Sequence, residues 1–89
     1  MLFPLGRVVA TPGALEACQE KGVDPLILVG RHVSGDWGDM DAEDREANDR
    51  ALGCMTRIFS AYVIAADVKI WVITEADRRV TTLLLPEEY

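Results

Sequence analysis

The side chains best suited to acid–base or phosphate chemistry are one histidine and several acids, arginines and tyrosines of the second half of the chain. His32 is the only histidine, and its ordinary pKa would let it act as a general acid or base. A metal-free ribonuclease would take its catalytic residues from His32, Arg57, Glu75, Arg78 and Tyr89. The histidine or the glutamate would be the base, the arginines would stabilise the phosphate, and the tyrosine would hold the nucleobase, a role open also to Tyr62.

The same residues have ordinary structural explanations. His32 falls near the end of a predicted helix, where the helix dipole favours it. Threonine and tyrosine are common in strands, so their presence around the arginines needs no active site. The chain has no Ser-His-Asp, Walker or glycine-rich dinucleotide motif. Catalysis is therefore supported by residue types alone, and we favour a protein that is not an enzyme.

One stretch of the chain carries all of its net charge. Residues 36 to 49 hold seven acids and one base, a sum of −6, and the charges of the remainder cancel. The spacing of these acids is not that of a calcium loop, and two cysteines with one histidine are too few for a structural zinc site. We expect no metal and no cofactor. The scattered Lys and Arg argue against direct nucleic-acid binding, so the acids favour a protein partner with a basic surface.

Only part of this acidic block is needed to build a helix. Acids at the start of the helix predicted from residue 42 cap it or suit its positive N-terminus. These acids are Asp39, Asp41, Glu43 and Asp44. Asp36, Glu46 and Asp49 have no such role, and we predict that they contact a partner. Trp37 lies in the same glycine-bracketed loop, and it either covers one end of the core or anchors the interface.

The hydrophobic pattern predicts a single domain, 1–89, of the α+β class. Short links join its last three strands, which indicates an antiparallel meander. We expect an antiparallel sheet of about four strands with two to three helices on one face. The predicted strands are 5–11, 57–64, 68–74 and 80–85, and the predicted helices are 12–20, 42–52 and the short 25–32, which could also be a strand.

The chain has the features of a cytoplasmic protein. Its longest purely apolar runs are far below the ~20 residues that cross a bilayer, and its first residues do not resemble a signal peptide. Cys18 and Cys54 stand apart from each other and from any metal-binding pattern, so we expect both to be reduced and buried.

Three stretches of the chain resemble a group of short uncharacterised bacterial proteins. They are RHVSGDWGD (31–39), ANDRAL (47–52), and ITEADR with LLPEEY (73–78 and 84–89). Members of the group occur on plasmids and integrated mobile elements, and they are often labelled plasmid-related or type I restriction subunits. The resemblance implies a mobile-element setting and brings no established activity. An 89-residue chain has no room for the cofactor-binding sheet of a restriction methyltransferase.

These observations predict a non-enzymatic, protein-binding accessory module of a bacterial mobile element. Its acidic loop and helix would dock on a basic partner surface, with an anti-defence or regulatory role. The order of elements also resembles that of the RelE-like and barnase-like ribonuclease toxins, which implies the ribonuclease described above as the alternative. A homodimer that pairs through an exposed sheet edge is a third possibility.

Overall fold

The computed structural model describes all 89 residues and has the α+β fold expected from the sequence. Three helices and four strands follow one another, and the ambiguous segment after Asp24 is a helix. In chain order the elements are β1 (Arg7–Ala10), α1 (Pro12–Lys21), α2 (Pro25–Val33), α3 (Ala42–Cys54), β2 (Ile58–Ala65), β3 (Val68–Thr74), β4 (Val80–Leu84) and a C-terminal 3₁₀ turn (Pro86–Glu88).

The sheet has the strand order β1-β4-β3-β2 and is mixed. Strands β2, β3 and β4 form the predicted antiparallel meander, but β1 pairs parallel to β4. The expectation of a purely antiparallel sheet was therefore wrong at this one pair. Short links dictate the direction of consecutive strands only, whereas three helices and two strands separate β1 from β4 along the chain.

Side-chain caps begin all three helices where the sequence predicts them. The Thr11 hydroxyl accepts the Ala14 N–H at 3.1 Å, and an Asp24 carboxylate oxygen accepts the Leu26 N–H at 2.9 Å. A proline follows each of these two caps, at a position where its missing N–H is no loss. Asp41 caps α3 by accepting the Asp44 N–H at 2.8 Å.

Helices α1 and α2 cover one face of the sheet. The opposite face carries Phe59 and Trp71, with Tyr89 of the C-terminal segment packed on Trp71, and we call it the helix-free face because neither α1 nor α2 packs on it. The main core lies between these two helices and the sheet, and its buried residues are Ala14, Cys18, Leu28, Val29, Tyr62, Ile70, Val72 and Leu83. A smaller core at the end of the sheet consists of Phe3, Trp37, Ala51 and Ile58. Cys18 is buried as expected, but Cys54 is exposed because it lies at the solvent-facing end of α3.

Helix α3 lies along the outer edge of β2. The Asn48 side-chain amide pairs with the backbone of Phe59, accepting its N–H at 3.0 Å and donating to its carbonyl at 2.7 Å. Two residues further along β2, Ala61 forms hydrogen bonds with the loop before α3. The Ala61 N–H donates to the Trp37 carbonyl, and the Ala61 carbonyl accepts the Asp39 N–H. Backbone groups that an edge strand would leave open are thus satisfied, and α3 is fixed beside the helix-free face.

Candidate functional site

A cleft of about 490 Å³ opens between α3 and the helix-free face of the sheet. One wall is a stripe of α3 that includes Asp44, Ala47 and Asn48, residues that lie within one turn of one another. The other wall comes from β2 and β3, where Phe59 and Trp71 point away from the main core. The cleft therefore combines an aromatic floor with the acidic helix.

Three aromatic rings cluster on the helix-free face. The Phe59 and Trp71 ring centroids are 4.8 Å apart, and Tyr89 packs edge-on against Trp71 at 5.8 Å. The Arg57 guanidinium lies 5.8 Å from the Phe59 centroid and 5.7 Å from that of Tyr89, and it donates a hydrogen bond to the Tyr89 hydroxyl. Trp71 is the one ring of the three with no cation over it, and it remains partly exposed in the cleft.

The charges of the cleft are unevenly paired. Lys69 forms an ion pair with Asp39, with 2.9 Å between the ammonium nitrogen and a carboxylate oxygen. Arg57 is engaged with the aromatic cluster. The Asp44 carboxylate has no ion pair, and the capping bond to Asp41 uses the backbone N–H of Asp44, not its side chain. Of the two acids that line the cleft, Asp44 is therefore the one without an ion pair.

Beyond the cleft, α3 presents an acidic surface. Only Asn48 and Ala51 of its thirteen residues are buried. The exposed acids of the helix are Glu43, Asp44, Glu46 and Asp49. Their one ion pair joins Glu46 to Arg50 across 4.0 Å, and both side chains are more than two-thirds exposed, so it neutralises little. The helix also carries the exposed bases Arg45 and Arg50, so its four exposed acids leave it a net charge of −2; we call these four acids the acidic face of α3.

Two of the predicted binding residues hold the loop before α3 in place. Asp36 pairs with Arg31 at 2.6 Å, which lowers the pKa of the carboxyl, and its backbone carbonyl accepts the Tyr62 hydroxyl. Trp37 is only 4% exposed and packs beside Phe3. Its indole N–H donates to Asp49 at 3.1 Å. The indole proposed as an interface anchor is thus buried, and it covers one end of the core.

The ribonuclease residues do not meet in one cleft. Arg57 lies beside Tyr89 and lines the 490 Å³ cleft, but the other four residues of the set do not line it. A second cleft of about 410 Å³, between α1 and the β2–β3 turn, contains none of the five. Glu75 is exposed in the β3–β4 turn, and His32 is completely buried. The structure therefore places these five residues in separate parts of the molecule, apart from the contact between Arg57 and Tyr89.

His32 belongs to a buried chain of hydrogen bonds. Its ring nitrogens contact the Ser60 hydroxyl at 2.6 Å and the Thr74 hydroxyl at 2.9 Å. Thr81 bonds to Thr74 and donates its proton to the Leu5 carbonyl. Because Thr81 has one proton, Thr74 must donate to it, and Thr74 must then accept from the ring.

The direction of these hydrogen bonds determines which nitrogen of the His32 ring carries the proton. His32 carries its proton on Nε2, and Nδ1 accepts from Ser60. Burial lowers the pKa of His32 to about 4, so the ring is neutral near pH 7. Its one lone pair is occupied by Ser60, and no surface of it reaches solvent. The two hydrogen bonds of His32 join α2 to strands β2 and β3 inside the fold.

Arg78 likewise uses its side chain for hydrogen bonds inside the fold. It is 6% exposed and donates to the carbonyls of Ala51 and Thr56, at the end of α3, at 2.8 and 2.6 Å. Two weaker bonds reach the carbonyls of Glu75 and Ala76 in its own turn. The guanidinium therefore closes the C-terminus of α3, which has no basic residue in its last turn.

Apart from Arg57, sequence reasoning did not identify the residues that line the cleft as site residues. Asn48 was the available signal, since it lies among the small apolar residues of the thin buried stripe of α3 and must find partners there. Trp71 and Phe59 were assigned to strands, but the pattern alone did not show that the face they share is free of helices. No group of three His, Cys, Asp or Glu side chains is arranged to hold a metal ion.

Comparisons of the chain with protein-family models, with curated proteins and with solved structures found no match. None of the helices is both long and apolar enough to cross a membrane.

Proposed function

We propose that the protein is a non-enzymatic binding module whose acidic face of α3 docks on a basic surface of a protein partner. The observation that carries this proposal is the accumulation of four exposed acids on one helix with a single long ion pair among them. A folded protein gains little from such a face, because like charges on neighbouring turns repel one another. A partner with clustered lysines and arginines would gain from it, mainly in the rate and specificity of association.

The proposed setting is a bacterial mobile element, and the proposed compartment is the cytoplasm. A partner whose basic surface handles nucleic acid is the natural candidate, since carboxylates along a helix can occupy positions meant for phosphates. Defence and regulatory proteins have such surfaces. The burial of His32 and Arg78, with their hydrogen bonds already used inside the fold, supports a binding role over the ribonuclease alternative.

The test is capture of a partner from a bacterial lysate at low salt and at about 0.5 M salt, where the screening length shortens to a few ångströms. The charge-reversed variant Asp44→Lys/Glu46→Lys should lose the partner. The matched control is Glu16→Lys/Glu20→Lys, which makes the same charge change on exposed residues of α1 and should retain it. Failure to retain any protein at low salt, or equal retention by both double variants, would overturn the proposal.

A further inference from the structure

We propose that the cleft beside α3 receives an arginine side chain of the partner, with its guanidinium stacked on Trp71 and paired with Asp44. This inference rests on the proposed function and adds the chemistry of the contact at its centre. The acidic face of α3 would bring a basic surface close, and the cleft would select one residue of that surface. Two observations carry the inference, one for each half of the contact.

The first observation is that Trp71, a partly exposed ring of the cleft, pairs with aromatic rings and with no cation. Arg57 shows that a guanidinium fits the aromatic cluster of this sheet face, because it lies over both Phe59 and Tyr89. The third ring of the cluster, Trp71, has no cation of this chain over it, and it lines a 490 Å³ cleft. Tryptophan is the aromatic side chain that attracts cations most strongly. The cleft thus offers its best cation-binding ring to an incoming group.

The second observation is the unpaired carboxylate of Asp44. The other acid of the lining, Asp39, is paired with Lys69, so an incoming cation would meet Asp44 first. A cation at this place would also lie next to the remaining acids of α3. The residues that line the cleft include two acids and two bases, so their formal charges cancel. The negative potential at the cleft comes from the other acids of α3.

The presence of an indole and a carboxylate in the same lining favours arginine over lysine. A guanidinium is planar, so it can lie flat on an indole while its edge forms two parallel hydrogen bonds to a carboxylate. A lysine ammonium can do one or the other but not both with the same geometry. A nucleotide is the competing occupant, because a base could stack on Trp71, but its phosphate would face the acids of α3.

The experiment follows the two indole N–H signals of the protein by NMR during titration with N-acetyl-arginine N-methylamide. The chain has two tryptophans, and the buried Trp37, whose indole N–H is held by Asp49, is an internal control. We expect saturable shifts at Trp71 in the millimolar range and none at Trp37. The lysine analogue should bind about threefold more weakly, and the neutral citrulline analogue should not saturate.

Two isosteric variants separate this inference from the proposed function. Asp44→Asn should weaken the arginine probe by about fivefold, while Glu46→Gln, which removes the same charge from the same helix outside the cleft, should leave it nearly unchanged. Equal loss in both variants would leave long-range attraction as the whole effect and overturn the arginine site, with the proposed docking of α3 intact. Citrulline or adenosine monophosphate binding as tightly as the arginine probe would also overturn it.

Discussion

The interior beneath α2 and the surface of α3 both contain side chains capable of chemistry, and they use them in opposite ways. In the interior, every buried side-chain nitrogen and oxygen has a hydrogen-bond partner. His32 forms hydrogen bonds with two buried hydroxyls, and Arg78 donates to backbone carbonyls of the fold. On α3 the carboxylates face solvent, and Asp44 and Glu43 pair with no base at all.

The difference teaches which polar residues are free to act on another molecule. A buried group whose hydrogen bonds are all made can leave them only at a cost of about 1–3 kcal/mol each, so its chemistry is held by the fold. An exposed carboxylate loses little when it changes partner. In this protein His32 and Arg78 are therefore held by hydrogen bonds inside the fold, and the exposed acids of α3 are available for binding.

The sharpest way to test the interior half of this comparison is to remove Arg78. Arg78→Met keeps much of the stem and takes away the donors to the carbonyls of Ala51 and Thr56. We expect a loss of about 4 kcal/mol in the free energy of unfolding, measured by urea denaturation, because one buried and three partly buried carbonyls lose their donor together. The neighbouring Arg79→Met should cost less than about 0.5 kcal/mol, since that side chain is 84% exposed. Comparable losses in both would contradict a fastening role.

Much of the fold follows from local signals in the sequence. The caps Thr11, Asp24 and Asp41 and the prolines after the first two place the helix starts correctly. The alternation in the last three strands gives the meander. The parallel β1–β4 pair could not be deduced, because no short connection joins these strands and their pairing is decided by tertiary packing.

The candidate site is less accessible to sequence reasoning than the fold. The exposed acids of α3 are recognisable from their charge and from the few apolar residues of the helix. The sequence leaves open whether Trp37 covers one end of the core or anchors an interface, and its burial beside Phe3 shows that it covers the core. The cleft depends on Asn48 reaching the backbone of Phe59, a contact between residues eleven apart that no pattern specifies. A polar residue is predictable as a type, while its partner is a property of the folded chain.

The second test of the interior is the dependence of stability on pH. The pKa of His32 is about 4 in the folded protein, below its ordinary value of 6.5, because burial penalises the charged ring. Well above pH 6.5 the ring is neutral in both states, and burial of the ring costs no stability through its charge. As the pH falls from 6.5 towards 4, the unfolded chain binds a proton that the folded protein refuses, so stability decreases, by about 2 kcal/mol between pH 7 and pH 4.5.

The measurement is a set of urea denaturation curves between pH 7.5 and pH 4.5. This window excludes most of the effect of carboxyls with lowered pKa, such as Asp36 and Glu88, whose contributions are lost at lower pH. His32→Gln should be less stable at neutral pH and should show a nearly flat profile across the window, because His32 is the only histidine. A wild-type profile that is already flat, or a slope that persists in the variant, would show that the ring does not titrate on unfolding.

The smallest expected effect separates the acids of α3 into those that build the helix and those that are surplus to it. Asp41→Ala removes the cap that accepts the Asp44 N–H and should cost about 1 kcal/mol of unfolding free energy. Glu46→Gln removes a charge whose only ion pair spans 4.0 Å, and it should change stability by less than about 0.5 kcal/mol. In the capture experiment the order should reverse, because a helix that still folds needs its surface charge, not its cap, to hold a basic partner. If Glu46→Gln destabilised the protein as much as Asp41→Ala, the charge would be part of the fold, and the contrast between a committed interior and an uncommitted helix surface would fail.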